Sequence, residues 1–125
     1  KMIILLDTST PICRLTVVDG DSHTKHEWQA DRQLARGILS YLRDKIGDFH
    51  DITGIGVMKG PGSFTGLRIG ITVLNTLADD LDVPIIGETG DSWRETALSR
   101  LRNGEDDRIV MPEYGSEAHI TTPRK

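Results

Sequence analysis

The chain has 125 residues, 37% of them hydrophobic and 27% charged. That is the size of one ordinary domain with a single core, and it excludes a wholly disordered chain and a two-lobed enzyme with an interlobe cleft. No apolar run approaches the ~20 residues of a membrane span, and the net charge of -4 argues against nucleic-acid binding driven by bulk charge.

Cys13 is the single cysteine, so no intrachain disulfide forms and nothing requires an oxidising compartment. A cytoplasmic location is the default expectation. The apolar stretch Met2–Leu6 is too short for a signal-peptide core, and Met2 is expected to be the native start.

In chain order, Met2–Asp7 (MIILLD) is predicted as a buried strand and Ile12–Val18 (ICRLTVV) as a half-buried one. Asp19-Gly20 predicts a type I′ hairpin turn, with the polar Ser22–Gln29 returning as an edge strand. Asp31 is a predicted N-cap. Leu34, Ile38, Leu39, Leu42 and Ile46 then form one apolar stripe, and Gly47 stops the helix. Ile52–Met58 (ITGIGVM) reads as a second buried strand, softened by two glycines.

A glycine-rich loop, Lys59–Gly66 (KGPGSFTG), leads into a second helix ending near Asp80. Leu67, Ile71, Leu74 and Ala78 form one apolar stripe on it. Gly66, Ile69, Gly70, Val73 and Leu77 form another, so the helix should be covered from two sides. Val83–Gly87 predicts a third buried strand. Ser92 with Glu95 predicts a capping box, with a third helix through Trp93, Ala97, Leu98 and Leu101 up to Asn103-Gly104. Arg108–Met111 is read as a short strand, and 112–125 as an extended tail after a lobe spanning 2–111. The alternation predicts an α/β domain with a mixed sheet.

Five features could carry chemistry. The loop Gly60–Gly66 joins a strand to a helix N-terminus, where phosphate is often held. It lacks the Walker A ending and the Rossmann spacing, and periodicity alone favours a tight turn capped by Ser63 or Thr65. Asp7, with the hydroxyls of Thr8, Ser9 and Thr10, could hold a metal–phosphate group, or could simply close a strand end. His23 and His26 fall on opposite faces of a strand and read as surface residues, not ligands. Cys13 has no identifiable base and reads as a small buried hydrophobe. Gly66 and Gly70 lie one turn apart, each costing about 1 kcal/mol in helix propensity, which indicates close packing against the domain's own sheet or a partner helix.

Leu6-Asp7-Thr8-Ser9-Thr10, the run Lys59-Gly-Pro-Gly-Ser-Phe-Thr-Gly-Leu-Arg-Ile-Gly70, Ala78 and Pro84-Ile-Ile-Gly87 resemble the TsaB (YeaZ) family. The resemblance covers about residues 2–103, with a weaker echo in Pro112-x-Tyr114. It implies a single RNase H-like (ASKHA) lobe with a mixed central sheet flanked by helices. It further implies a non-catalytic, cytoplasmic protein that binds and activates TsaD during threonylcarbamoyladenosine formation in tRNA. TsaE is a further implied partner, tRNA is met only through the complex, and a homodimer is implied when the chain is alone. No cofactor, metal or membrane is implied, and the older peptidase label has no mechanism in these residues.

In TsaD the first long helix carries a His-x-x-x-His metal pair; Asp31–Ile46 here contains no histidine. The family's helical-bundle contact implies an interface of Leu34, Ile38, Tyr41, Gly66, Ile69, Gly70, Val73 and Leu77. Asp7, Ser9, Ser63 and Thr65 are then vestigial phosphate-site candidates. A bulky residue at Gly70 is expected to weaken docking more than folding. Family members have two lobes, and this chain is expected to lack the second, with the junction near 104–108. The alternative is a small ASKHA-type nucleotide-binding protein or enzyme, independent of TsaD, using Asp7, Ser63 and Thr65.

Overall fold

The computed structural model describes residues 1–115; residues 116–125, most of the expected tail, lie outside the described residues. Five strands, β1 (Met2–Asp7), β2 (Ile12–Asp19), β3 (Ser22–Gln29), β4 (Ile52–Gly60) and β5 (Ile85–Thr89), form one sheet in the order β3-β2-β1-β4-β5. β1, β2 and β3 pair antiparallel, while β1–β4 and β4–β5 pair parallel. The sheet is mixed because tight loops join the first three strands and helices make the later crossovers.

Helices α1 (Leu34–Ile46) and α2 (Phe64–Leu81) cover one face and α3 (Trp93–Arg102) the other. Strand alternation supplies both cores. Ile4 and Leu6 of β1 point to the α1–α2 side with Leu15, Ile55, Val57, Leu42, Leu67 and Leu74, and Leu5 points to Ile86, Trp93 and Ala97. Gly54 and Gly56 of β4 belong to the α3 side. A Cβ at Gly56 would lie 2.6 Å from Leu5 Cδ2 and 3.1 Å from the Ala97 Cβ, so the missing side chain is what lets α3 sit down on the strand. No helix among the described residues is long and apolar enough to cross a membrane.

The expected architecture is present, with local corrections. The hairpin loop is Gly20-Asp21, closed by the Asp19–Ser22 pair, and Gly20 alone takes positive φ. That is the φ pattern of a type II′ turn. Asp31 does not cap α1. It has φ +49°, accepts a hydrogen bond from Gln29 at 2.9 Å and opens a 3-10 turn ahead of Leu34. The entry is held instead by Pro11 O, which accepts from the N–H groups of both Ala30 and Asp31 at 3.1 Å. Ser92 makes no side-chain cap. Leu39, placed in the core stripe by its spacing, is 51% exposed.

Residues 108–111 are not a strand. The segment after α3 is a strap laid along β5 and across α2. Asp107 N donates to Ile85 O, and carboxylate oxygens of Asp106 and Asp107 accept from the N–H groups of Ile85 and Gly87. Side-chain carboxylates thus fill the places of a neighbouring strand's carbonyls. Further on, Glu113 N donates to Lys59 O, and the Tyr114 ring lies 4.4 Å from that of Phe64.

Candidate functional site

Two regions carry the residues singled out by the sequence: the junction of β1 with the N-terminus of α2, and the seam between α1 and α2.

At the junction, Asp7 ends β1 and is buried. Its Oδ1 accepts from the backbone N–H (2.8 Å) and the hydroxyl (2.6 Å) of Ser9, and its Oδ2 faces the Arg94 guanidinium at 3.9 Å. Ser9 O accepts from Ser63 N at 2.8 Å, and Ser63 Oγ caps α2 by accepting from Gly66 N at 3.2 Å. Thr8 is fully buried and donates to Gly66 O at 2.7 Å. The structure thus joins Asp7, Ser9 and Ser63 in one hydrogen-bonded run. Thr65 stands apart at the mouth of an open groove of about 880 Å³, lined also by Thr10, Arg32, Ala35 and Ile69.

The glycines explain this packing. A Cβ at Gly62 would lie 2.5 Å from Ser9 Cβ, one at Gly66 2.3 Å from Thr8 O, and one at Gly70 2.2 Å from Thr8 Oγ1. The contacts at Gly62 and Gly66 include backbone atoms, which cannot rotate away. Gly66 and Gly70 therefore meet the Thr8–Ser9 loop of their own chain, and not the sheet that their spacing suggested.

At the seam, α1 and α2 lie side by side with both N-termini at the groove. Of the expected interface residues, Leu34, Ile38, Gly66, Gly70 and Leu77 are buried within the chain. Tyr41 turns toward β3, stacking on Trp28 at 5.1 Å between ring centroids, and its buried hydroxyl has no partner among the described residues. Burial, with Cys13 and Glu27 nearby, pushes the Tyr41 phenol up to about 12. Gly37 of α1 makes room for that Trp28 ring, 2.7 Å from where its Cβ would be. Ile69 and Val73 remain half-exposed. Leu39, four residues beyond Ala35 on the groove side of α1, joins them as the residue that sequence spacing misassigned.

Elsewhere, burial, with a smaller effect of Asp7, pushes the Cys13 thiol up to about 12. It is a packed hydrophobe with almost no thiolate at neutral pH. His23 and His26 fall on opposite faces, opposite Val18 and Leu15 of β2. Among the described residues, no three His, Cys, Asp or Glu side chains converge as a metal site would require.

An ion cluster centred on Arg100 lies outside all the sequence motifs. Arg100 donates to Glu88 (2.9 Å), Glu105 (2.7 Å) and both carboxylate oxygens of Asp107 (2.5 and 3.2 Å). The run Glu105-Asp106-Asp107 was its only sequence signal, and that run also suits a solvated helix stop.

The order of the sheet and the helices on its two faces define the class: an RNase H-like lobe of the ASKHA type, the fold of the YeaZ structures it resembles. Residues 30–89 match the family model of TsaD, described as tRNA N6-adenosine threonylcarbamoyltransferase. The tRNA threonylcarbamoyladenosine biosynthesis protein TsaB of Escherichia coli K12 is 28% identical over 117 residues, 86% of this chain and 51% of that protein. The protein of the same name from Haemophilus influenzae is 28% identical over 123 residues, 95% of this chain and 52% of its own length. YeaZ from Pseudomonas aeruginosa superposes with a TM-score of 0.61 at 27% identity, covering 77% of this chain and 51% of that one. The chain is thus similar to TsaB (YeaZ) proteins, and it spans about half the length of the curated relatives it matches.

Proposed function

We propose that this chain is a non-catalytic docking partner of TsaD, acting in the formation of threonylcarbamoyladenosine in tRNA in the cytoplasm. The observation that carries the reading is the α1–α2 seam. Leu39, Ile69 and Val73 stay accessible there beside helices whose other apolar residues are buried. An apolar strip left open between two packed helices suits a helical partner. The expected interface is accordingly narrowed to these three residues, with Leu34, Ile38, Gly66, Gly70 and Leu77 supporting them from beneath and Tyr41 from the β3 side.

The junction supports the non-catalytic part of the reading. The Asp7 carboxylate is engaged by Ser9 and Arg94, and the Gly60–Gly66 loop is packed on Thr8 and Ser9. In this reading Asp7, Ser9 and Ser63 hold β1 against α2, within a lobe of residues 2–111, and Thr65 faces the groove. Activation follows by population shift: a partner that binds one arrangement of TsaD better than another raises its share. TsaE and tRNA then meet the chain through TsaD.

Co-purification with the TsaD of the same genome, with mass by light scattering, tests the reading. A heterodimer that forms with the natural chain and fails with Leu39→Asp is the expected result. A chain that stays free of TsaD, or a complex indifferent to Leu39→Asp, would overturn it.

A further inference from the structure

The α1–α2 seam carries a charge pattern opposite to that of the whole chain. Arg36, Leu39 and Arg43 are three and four residues apart and share one face of α1, and Arg32 continues that line in the turn before the helix. Arg68 is not on this seam: it lines the strap side of α2 with Asn75, Val110 and Tyr114. The three seam arginines, Arg32, Arg36 and Arg43, are exposed, and among the described residues none makes an ion pair. Arg43 is held over the ring of Phe49 at 5.4 Å. Of the carboxylates near these arginines, Asp31 accepts from Gln29 and Asp44 lies against Lys45. A chain with net charge -4 thus lines the α1 flank of its open apolar strip with unpaired guanidinium groups.

Resting on the docking reading above, we infer that this seam selects a helical protein surface whose apolar ridge is flanked by Asp and Glu carboxylates. Unpaired arginines beside an apolar strip gain charge-assisted hydrogen bonds only from an acidic rim. A second copy of this chain brings the same arginines to the contact, and like charge slows and weakens that encounter. A nucleic acid would satisfy the arginines and leave Leu39, Ile69 and Val73 facing phosphate, so the apolar centre favours protein.

The test measures the affinity of the full chain for TsaD in about 50 mM and about 500 mM NaCl, where screening differs severalfold in range. The natural chain is compared with R36E/R43E and with Leu39→Asp, each checked for an unchanged melting curve. Binding should weaken about tenfold or more in high salt. R36E/R43E should lose a similar factor in low salt and little in high salt. Self-association of the natural chain, followed by sedimentation, should not weaken as salt rises.

Binding that needs Leu39 but ignores both salt and R36E/R43E would overturn the acidic-rim inference and leave docking standing. No TsaD binding by any form at either salt would remove the docking reading and this inference with it. If R36E/R43E loses affinity for bulk tRNA while keeping that for TsaD, the arginines serve nucleic acid and the inference falls.

Discussion

The side-chain amide of Asn75 grips the backbone of Val110 from both sides: Nδ2 donates to Val110 O and Oδ1 accepts from Val110 N, each at 2.9 Å. One side chain on α2 thereby does the work of a paired strand for the strap. The Val110 side chain meets the bare backbone of Gly87, 2.5 Å from where a Cβ would stand.

Asn75→Ala should therefore cost about 1–3 kcal/mol, since it strips two partners from a partly buried backbone site. Urea denaturation followed by circular dichroism measures it. Asn75→Asp should recover part of the loss, because a carboxylate can still accept from Val110 N but cannot donate to its carbonyl.

Gly70 tests the meaning of the helix glycines. Gly70→Leu should destabilise by roughly 1–3 kcal/mol or more through overpacking against Thr8, reversing the expectation that docking would suffer before folding. Thr8→Ala in the same chain should restore part of that stability, since the contact at 2.2 Å is with Thr8 Oγ1. A double-mutant cycle in thermal melts reads the coupling. Additive effects would mean that the glycine face answers something other than this loop.

Ile38 and Leu39 are neighbours with opposite fates. Ile38→Ala should cost about 2–5 kcal/mol because it empties a site in the main core. Leu39→Ala should stay within about 0.5 kcal/mol because its side chain is half in water. Denaturation midpoints of the two variants compare them directly.

The Arg100 cluster predicts an acid-sensitive anchor. Burial opposes ionisation of Asp107, but the hydrogen bonds from Arg100 and from Gly87 N–H more than offset it and hold the carboxyl below its ordinary value of 3.8. A carboxyl depressed in the folded state contributes stability that is present above its unfolded pKa and lost as pH falls through the folded one. The Arg100–Asp107 contribution should thus be complete at neutral pH and decline below about pH 4. Arg100→Met should destabilise clearly at pH 7, where it leaves Glu88, Glu105 and Asp107 facing one another, and much less near pH 3. Stability curves of both proteins against pH check this.

Cys13 should be inert to thiol reagents in the folded protein at about pH 8, where a thiol held near 12 is almost wholly protonated and buried. It should react at once in denaturant. Timed labelling with a chromogenic disulfide measures both rates.

The order of elements was legible in the sequence because strand and helix periods are local properties. MIILLD, the Asp19-Gly20 region and the 3.6-residue stripes of α1 and α2 each declare themselves within a dozen residues. The motif residues from Asp7 to Gly70 also carry the resemblance to TsaB proteins, since they follow one another along the chain. What the tertiary structure alone decided is which neighbour each side chain meets. Gly66 and Gly70 carry the same sequence signal whether they face a partner helix or Thr8, and only the path of the β1–β2 loop tells the two apart. Leu39 has the spacing of a core residue, and its exposure depends on how far α2 stands from α1. Asn75 with Val110, and Arg100 with Glu88, are contacts between residues distant along the chain, set by the docking of the strap. Periodicity reports a preference for burial; the atoms that satisfy it are chosen by packing, which no local pattern contains.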